Sequence, residues 1–249
     1  MWWWLPFLSL ADSPQPPSAW DTPDSVRLEE AFPLPDGFTR RERTLFGEWL
    51  GGLPVEPVDR AVRTHDGRVV RHSARVIALP MVSGDLQQCA DSALRLRAEY
   101  QRQVGRPVMF HSTSGDQMPY ARWAAGERAV VRDGHLAWVP GGDRSWDGYL
   151  SLLFTYAGTA SLEVHDTVGA RTPRAGDLLV QGGFPGHAIV ILDVAVRGSE
   201  TRVLVGEGFM PAQDFHVELG PLDGWWAWDD GVALPHWPLG AEDLRRWAR

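Results

Sequence analysis

The sequence predicts an α+β protein, because its helical and strand patterns are segregated along the chain. The clearest helical pattern, in residues 85–103, precedes the clearest strand patterns, which follow one another within residues 176–208. Short turns rather than helices join those strand patterns, which is typical of an α+β fold with an antiparallel sheet. With 249 residues, of which 44% are hydrophobic, the chain is long and apolar enough to bury a large core.

Residues 1–20 have the pattern of a signal-like leader followed by a proline-rich tether. The start, MWWWLPFLSLA, is an apolar run that ends in a small-x-small pattern, which favours cleavage before Asp12. It lacks a positive n-region and is far shorter than the ~20 residues that span a bilayer. We therefore expect an exported protein of the periplasm or cell envelope without a transmembrane span, or a cytoplasmic one if the apolar run is not a signal.

Residues 21–80 are predicted to form an N-terminal extension that contains a helix and a hairpin. Apolar residues recur at helical spacing from Leu45 to Leu50, which predicts a helix over about residues 39–50. Asp66-Gly67 lies between β-rich runs and is a hairpin turn signal. The sequence leaves open whether this extension is a separate subdomain or one wall of the main core.

Residues 81–240 are predicted to form the core domain, and residues 241–249 a C-terminal tail. Asp85 and Gln88 fit a capping box, which predicts a helix over residues 85–103 with the single cysteine of the chain in its first turn. Three β-rich runs, residues 176–181, 187–196 and 201–208, predict an antiparallel meander. We expect the cysteine helix to pack on this meander.

Composition excludes several classes of partner and site. The formal net charge of -8, without a dense basic stripe, argues against nucleic-acid binding. A single cysteine excludes an internal disulfide framework and a cysteine-based zinc cluster. The histidines show no paired ligand spacing, so we predict neither a metal ligand nor a cofactor. The oligomeric state has no signature in the sequence.

Cys89 is the candidate nucleophile. A helix N-terminus carries about half a positive charge, which favours a thiolate and lowers the pKa of a thiol placed there. The competing interpretation is structural, because Leu86, Cys89, Ala93 and Leu96 form one apolar stripe and free cysteine is among the most buried residue types.

His187 is the candidate base, and Glu207 is the candidate residue to orient it. His187 begins an apolar strand directly after a Gly/Pro-rich turn, and Glu207 lies on the next strand. With a turn of Gly198-Ser199-Glu200, strand alternation places Glu207 on the same face as His187. A two-residue Gly198-Ser199 turn places Glu207 on the opposite face. The sequence does not decide between the two turns.

These motifs resemble two groups of bacterial proteins. A cysteine at a helix start, then GDLL, a Gly-rich turn and GHAIVILD, resembles the papain-like cysteine hydrolases, in particular NlpC-type cell-wall amidases and endopeptidases. A nearer likeness extends from residue 37 over most of the chain. On the segments DLQQCAD, RLRAEY, YAGTASL, GGFPGHAIVILD and MPAQ, the chain resembles a bacterial family known only as a domain of unknown function.

The resemblance implies a papain-like core and an amidase or peptidase that acts on a peptide or another small amide. His187 would deprotonate Cys89, and the thiolate would attack a carbonyl. The backbone N–H of Cys89 would stabilise the oxyanion, with Gln88, Gln87 and Gln213 as further candidates for oxyanion or substrate binding. The chain departs from the pattern at Glu207, where the family would have glutamine, and before Cys89, where cell-wall amidases have Asp-Cys-Ser-Gly.

Two other functions remain open from the sequence. The chain has thirteen tryptophans, and aromatic platforms bind sugars or peptides, so an exported binding or scaffold protein on a papain-like frame is the alternative to an enzyme. The second is a metal-dependent hydrolase. Its ligands would come from His187, Asp193, Asp214 and His216.

Overall fold

A computed structural model describes residues 14–70 and 73–248. The apolar run of the predicted leader, residues 1–13, lies outside the described residues. Among the described residues, no helix is both long and apolar enough to cross a membrane.

Two of the described helices have 15 and 11 residues, and the others are short. The α-helices are α1 (Leu28–Ala31), α2 (Leu45–Gly51), α3 (Cys89–Gln103), α4 (Tyr120–Ala124), α5 (Trp146–Tyr156) and α6 (Thr159–Ser161). Single turns of 3-10 helix occur at Ser18–Trp20 and Ala241–Asp243, and a π-helical turn occupies Leu162–Asp166.

Most strands belong to one antiparallel sheet. The strands are β1 (Val26–Arg27), β2 (Thr39–Arg40), β3 (Pro54–Val55), β4 (Ala74–Val76), β5 (Met109–His111), β6 (Gln117–Pro119), β7 (Glu127–Arg132), β8 (His135–Pro140), β9 (Thr167–Gly169), β10 (Leu178–Gln181), β11 (His187–Arg197), β12 (Glu200–Glu207), β13 (His216–Glu218), β14 (Trp226–Ala227), β15 (Gly231–Ala233), β16 (Pro238–Gly240) and β17 (Leu244–Trp247).

The central sheet has the strand order β4-β13-β12-β11-β10-β17-β9, with β2 paired to β11 and β14 paired to β12. Every one of these pairings is antiparallel. The predicted α+β class is therefore confirmed. The predicted meander also forms, since β10, β11 and β12 are consecutive neighbours in the sheet.

Segments outside residues 81–240 contribute to the same sheet. β2 and β4 come from the predicted extension, and β17 comes from the predicted tail. The end of the predicted tether is also packed: Trp20 is buried, and its ring centroid lies 6.0 Å from that of Trp49. Apolar side chains of this N-terminal part, such as Leu28, Trp49 and Leu50, belong to the same hydrophobic cluster as those of the cysteine helix α3, so the two parts share one core.

The sheet carries a hydrophobic cluster on each face. On one face, Ala188, Val190 and Leu192 pack with α2, α3 and α5. On the other face, Ile189 and Ile191 pack with side chains of the small β15-β16 hairpin and of β17. The start of β11 and the end of β12 lie between these two layers. The candidate residues are located there.

The predicted helix of residues 39–50 begins later than expected. α2 starts at Leu45 because the hydroxyl of Thr44 accepts a hydrogen bond from Gly47 N, 3.2 Å away, which is an N-cap. Thr39 and Arg40 instead pair with Val196 and Ala195 of β11. A strand pairing across 150 residues of sequence overrides the local helical pattern.

Candidate functional site

His187 and Glu207 meet at the end of two neighbouring strands. His187 is the first residue of β11 and Glu207 the last residue of β12. His187 Nε2 lies 2.6 Å from Glu207 Oε2, and each side chain is only 2% exposed. Such a short contact between a buried imidazole and a buried carboxylate is a charge-assisted hydrogen bond.

A β-bulge between β11 and β12 places His187 and Glu207 on the same face of the sheet, which allows this pair to form. The β11-β12 turn is the two-residue turn Gly198-Ser199, since Arg197 pairs with Glu200. That register alone would put Glu207 on the opposite face from His187. The register shifts by one residue between Ile191 and Asp193, so that Val190 pairs with Gly206. This shift returns Glu207 to the face of His187.

A loop near the C-terminus covers the pair. His236 Nε2 lies 2.9 Å from Glu207 Oε1, so Glu207 bridges two histidines. The ring centroid of Trp237 lies 5.3 Å from that of His187, and Phe209 approaches equally closely from the other strand end. Trp237 Nε1 donates to Gln181 Oε1 over 2.7 Å, which anchors the loop to the strand beside His187.

The electrostatics favour an ionised Glu207 between the two imidazoles. Burial alone would raise the pKa of Glu207, but the hydrogen bonds from His187 and His236 outweigh it, and the pKa lies below its usual value. The same contact raises the pKa of His236, because the carboxylate stabilises the imidazolium.

Cys89 is the first residue of α3, but the cap differs from the predicted one. Gln88, rather than Asp85, is the N-cap residue, and Asp91 Oδ2 accepts from Gln88 N over 3.0 Å. Asp85 instead accepts from Ala212 N, at 2.6 Å, in the segment after β12. The helix therefore starts four residues later than predicted, since Asp85 is engaged by a distant backbone N–H.

The sulfur of Cys89 lies against the strand that carries His187. The backbone N–H of Ala188, the residue after His187, donates a hydrogen bond to the thiol. The end of β12 also touches the helix start: a Cβ added at Gly208 would lie 2.5 Å from Ser92 Oγ and 3.0 Å from Gln88 O. Cys89 is thus held beside the ends of β11 and β12.

The thiol is not activated in the way the helix position alone predicts. Burial raises the pKa of Cys89 to about 11, and the charges of Asp91 and Glu207 also raise it. Hydrogen bonds from the backbone of Ala188 and Ala90 act in the opposite direction but are outweighed. The residue as a whole is partly exposed, yet its thiol is desolvated enough to stay neutral at pH 7.

Two cavities flank the site. The smaller, of about 280 Å³, is lined by Cys89, the turn before His187 and the end of α5. The larger, of about 640 Å³, is lined by Glu207, His236 and Phe209, with apolar side chains around them. Met210 lines both cavities and is 53% exposed, so it separates them at the surface.

The three glutamines named from the sequence lie in different places. Gln88 lines the cavity that contains Cys89, and its Nε2 donates to Asp85 Oδ1 over 3.3 Å. Gln87 is fully buried, and its Oε1 accepts from Arg95 Nη1 at 2.7 Å. Gln213 lines the larger cavity. Of the three, Gln88 therefore shares a cavity with the sulfur.

The metal ligand set considered from the sequence does not assemble. Asp193 is engaged by Arg40 and Arg43, and Asp214 accepts from Arg63 N and forms an ion pair with Arg60. His216 in β13 is instead the directly opposite strand neighbour of Glu207 in β12.

Sequence reasoning missed His236 as a neighbour of Glu207. His236 lies in a loop 29 residues after Glu207, and no local pattern predicts that this loop folds back over the strand ends. The LPHWPLG segment offered one signal, a histidine beside a tryptophan between prolines.

Comparison with known proteins identifies a family but no characterised relative. The model of one family, described as Domain of unknown function (4846), matches residues 28–246. No curated protein and no solved structure matches the chain. The matched residues include every candidate residue described above.

Proposed function

We propose that this chain, which belongs to the family described as Domain of unknown function (4846), is a cysteine hydrolase of amidase or peptidase type. Cys89 is the nucleophile, His187 the base and Glu207 the residue that orients the base. One arrangement carries this proposal. Glu207 holds His187 at 2.6 Å, on the strand whose next backbone N–H meets the sulfur of Cys89.

The roles follow from the two nitrogens of the imidazole. Glu207 engages Nε2, so Nε2 carries the proton of the neutral ring and Nδ1 has a free lone pair. Nδ1 takes the thiol proton while the sulfur attacks the carbonyl carbon, and it returns that proton to the leaving amine or alcohol. Water then attacks the thioester and releases the acid and the free thiol. The buried carboxylate stabilises the imidazolium that forms between these steps.

Because the pKa of Cys89 is raised, the resting enzyme of this mechanism holds a protonated thiol. A thiol with a pKa of about 11 is neutral at pH 7, so proton transfer accompanies attack instead of preceding it. The backbone N–H at the start of α3 serves the oxyanion, and Gln88, in the same cavity, is a second donor. Substrate enters through the cavity of about 280 Å³ beside Cys89.

We further propose that this arrangement is carried by a papain-like frame. The cysteine helix α3 packs on the face of the sheet that carries Ala188 and Val190. His187, the first residue of β11, lies on the opposite face, because it alternates with Ile189 and Ile191. In the proposed frame, the imidazole of His187 therefore reaches Cys89 past the end of β11. The edge of the imidazole that faces Glu207 then lies under the loop that contains Trp237.

The experiment that tests the proposal is acylation by p-nitrophenyl acetate. Intact mass spectrometry should show one added acetyl group, and digestion should place it on Cys89, which is the single cysteine of the chain. Cys89→Ala should abolish the acetyl-enzyme, and His187→Ala should slow its formation on the order of 10²-fold, as for a lost general base.

Matched variants separate catalysis from background reaction. His135→Ala removes an exposed histidine that contacts Asp116, and Glu200→Gln changes an exposed carboxylate in the β11-β12 hairpin. Both should acylate at the wild-type rate, while Glu207→Gln should be slower. Acylation of Cys89 that is insensitive to His187→Ala would overturn the proposal.

A binding or scaffold protein without chemistry is the second candidate. It is supported by the raised pKa of Cys89 and by the mainly apolar cavity of about 640 Å³, which is lined by Phe209, Met210 and Trp226. On this alternative, the chain forms no acetyl-enzyme, and a peptide library should bind equally well to wild type and Cys89→Ala. A peptide bound only by a protein with an intact thiol would favour the hydrolase.

We also propose export to the periplasm or cell envelope, on the apolar run at the N-terminus. N-terminal sequencing of protein recovered from an envelope fraction tests this directly. Cleavage before Asp12 is the expected result, and recovery of an intact N-terminus from the cytoplasmic fraction would contradict export.

A further inference from the structure

Three side chains at the strand ends can converge on one ion. The ligand atoms of His187, Glu207 and His236 all lie within 4.8 Å of one another. They come from three separate elements: the start of β11, the end of β12 and the loop before β16. We propose that these residues form a divalent metal site, for which zinc is the fitting ion, at the mouth of the cavity of about 640 Å³.

The donor set selects the class of ion. Two imidazole nitrogens and one carboxylate suit zinc and its neighbours among the transition metals, whereas Mg²⁺ and Ca²⁺ prefer ligands that are all oxygen. Two histidines and one glutamate are also a known zinc ligand set in enzymes that keep a fourth position open. Glu207 and His236 both line the large cavity, so a fourth position would face it.

The distances require only small movements. A tetrahedral zinc ion with bonds of about 2.0–2.1 Å separates its ligand atoms by about 3.4 Å. The present contacts are 2.6 Å from Glu207 Oε2 to His187 Nε2 and 2.9 Å from Glu207 Oε1 to His236 Nε2. Each imidazole therefore has to withdraw by less than ~1 Å from the oxygen that it contacts, and the ligand atoms of the two histidines lie within 4.8 Å of each other. The side chain of His236 is 33% exposed, whereas those of His187 and Glu207 are 2% exposed, so we expect most of this movement at His236.

Charge at the site favours a cation. Glu207, His216 and Glu218 form a second group whose ligand atoms lie within 4.8 Å of one another, and all three residues are buried. Imidazoles face both carboxylates: His216 Nε2 lies 3.1 Å from Glu218 Oε1, and Glu207 contacts His187 and His236. A divalent ion held by Glu207 would add positive charge between the two carboxylates.

The test is calorimetric titration of the full chain with ZnCl₂ after removal of metal by EDTA. Wild type should bind one zinc ion per chain, and His236→Ala should weaken this binding by at least about tenfold, since one of three ligands is lost. His135→Ala is the matched control, because this exposed histidine also contacts a carboxylate, and it should bind zinc as wild type does. Circular dichroism should show that each variant is folded.

Cobalt provides a second measurement. Co²⁺ bound in place of zinc should give the intense visible absorption of a tetrahedral or five-coordinate site, and this absorption should be lost in His236→Ala. If wild type binds no zinc, or if His236→Ala binds zinc as tightly as wild type, the proposed site is overturned.

On the proposed function, zinc at this site should also affect the reaction of Cys89. Zinc bound to Nε2 of His187 would leave the proton of the neutral ring on Nδ1, the atom that takes the thiol proton in the proposed mechanism, so zinc should inhibit acetylation of Cys89. Cys89→Ala should bind zinc normally while forming no acetyl-enzyme. Loss of zinc binding with acylation intact would contradict the metal site alone, and zinc binding without acylation would contradict the hydrolase alone.

Discussion

Asp193 and Arg43 form a buried ion pair beside the bulge that aligns Glu207 with His187. Arg43 Nη2 lies 2.7 Å from Asp193 Oδ2, and the two side chains are 9% and 2% exposed. Arg40 also contacts the same carboxylate, at 2.9 Å. Both arginines precede α2, so the pair fastens the N-terminal wall of the protein to β11 close to the register shift.

Asp193→Ala should strongly destabilise the protein. It leaves Arg43 buried without its main partner, and breaking a buried pair from one side costs about 3 kcal/mol or more. Urea unfolding measures the loss. The control Glu200→Ala breaks the exposed Arg197–Glu200 pair, which should cost less than about 1 kcal/mol. Equal losses for the two variants would contradict a structural role for Asp193.

Gly208→Ala should displace the start of α3 from the end of β12. The added Cβ would meet Ser92 Oγ and the carbonyl oxygen of Gln88, so either the helix or the strand end has to shift, at a cost of about 1–3 kcal/mol. Alkylation of Cys89 should change with it, because the thiol sits at that junction. Gly169→Ala is the control, since its Cβ would contact nothing within 4 Å.

Unfolding free energy should depend on pH through Asp91. Burial raises the pKa of Asp91 from 3.8 to about 7, so the folded state holds a proton that the unfolded state releases. Its contribution to stability is complete below pH 4 and is lost as pH rises to about 7, by on the order of 1 kcal/mol per pH unit. Asp91→Asn should remove this component. Urea unfolding of both proteins at pH 5 and pH 8 measures it, and equal pH dependence would contradict the assignment.

Iodoacetamide should modify Cys89 slowly at neutral pH in the folded protein. Because burial raises the pKa of Cys89 to about 11, the rate should climb steadily above pH 9. Asp91→Asn should shift that profile to lower pH, since the charge of Asp91 also raises the pKa of Cys89. Mass spectrometry follows the reaction without ambiguity at a single cysteine. A midpoint below pH 8 would show that a thiolate is already present at rest.

Local patterns predicted those elements whose signals lie within a few residues. The meander of β10, β11 and β12 follows from three β-rich runs and two short turns, and α3 ends at Gln103, as predicted. The predicted starts of α2 and α3 were wrong because residues distant in sequence bind the segments before these helices. Ala212 engages Asp85 and delays the start of α3, and β11 pairs with Thr39 and Arg40 before α2 begins.

The sequence by itself determined that the protein is α+β, that one cysteine opens a helix, and that His187 and Glu207 end neighbouring strands. It could not determine which way Glu207 faces, because one bulge residue reverses strand alternation and has no local signature. Nor could it determine that His236 would reach Glu207 or that burial would raise the pKa of Cys89. Only tertiary structure decided these, since each depends on groups that are distant in sequence and adjacent only after packing.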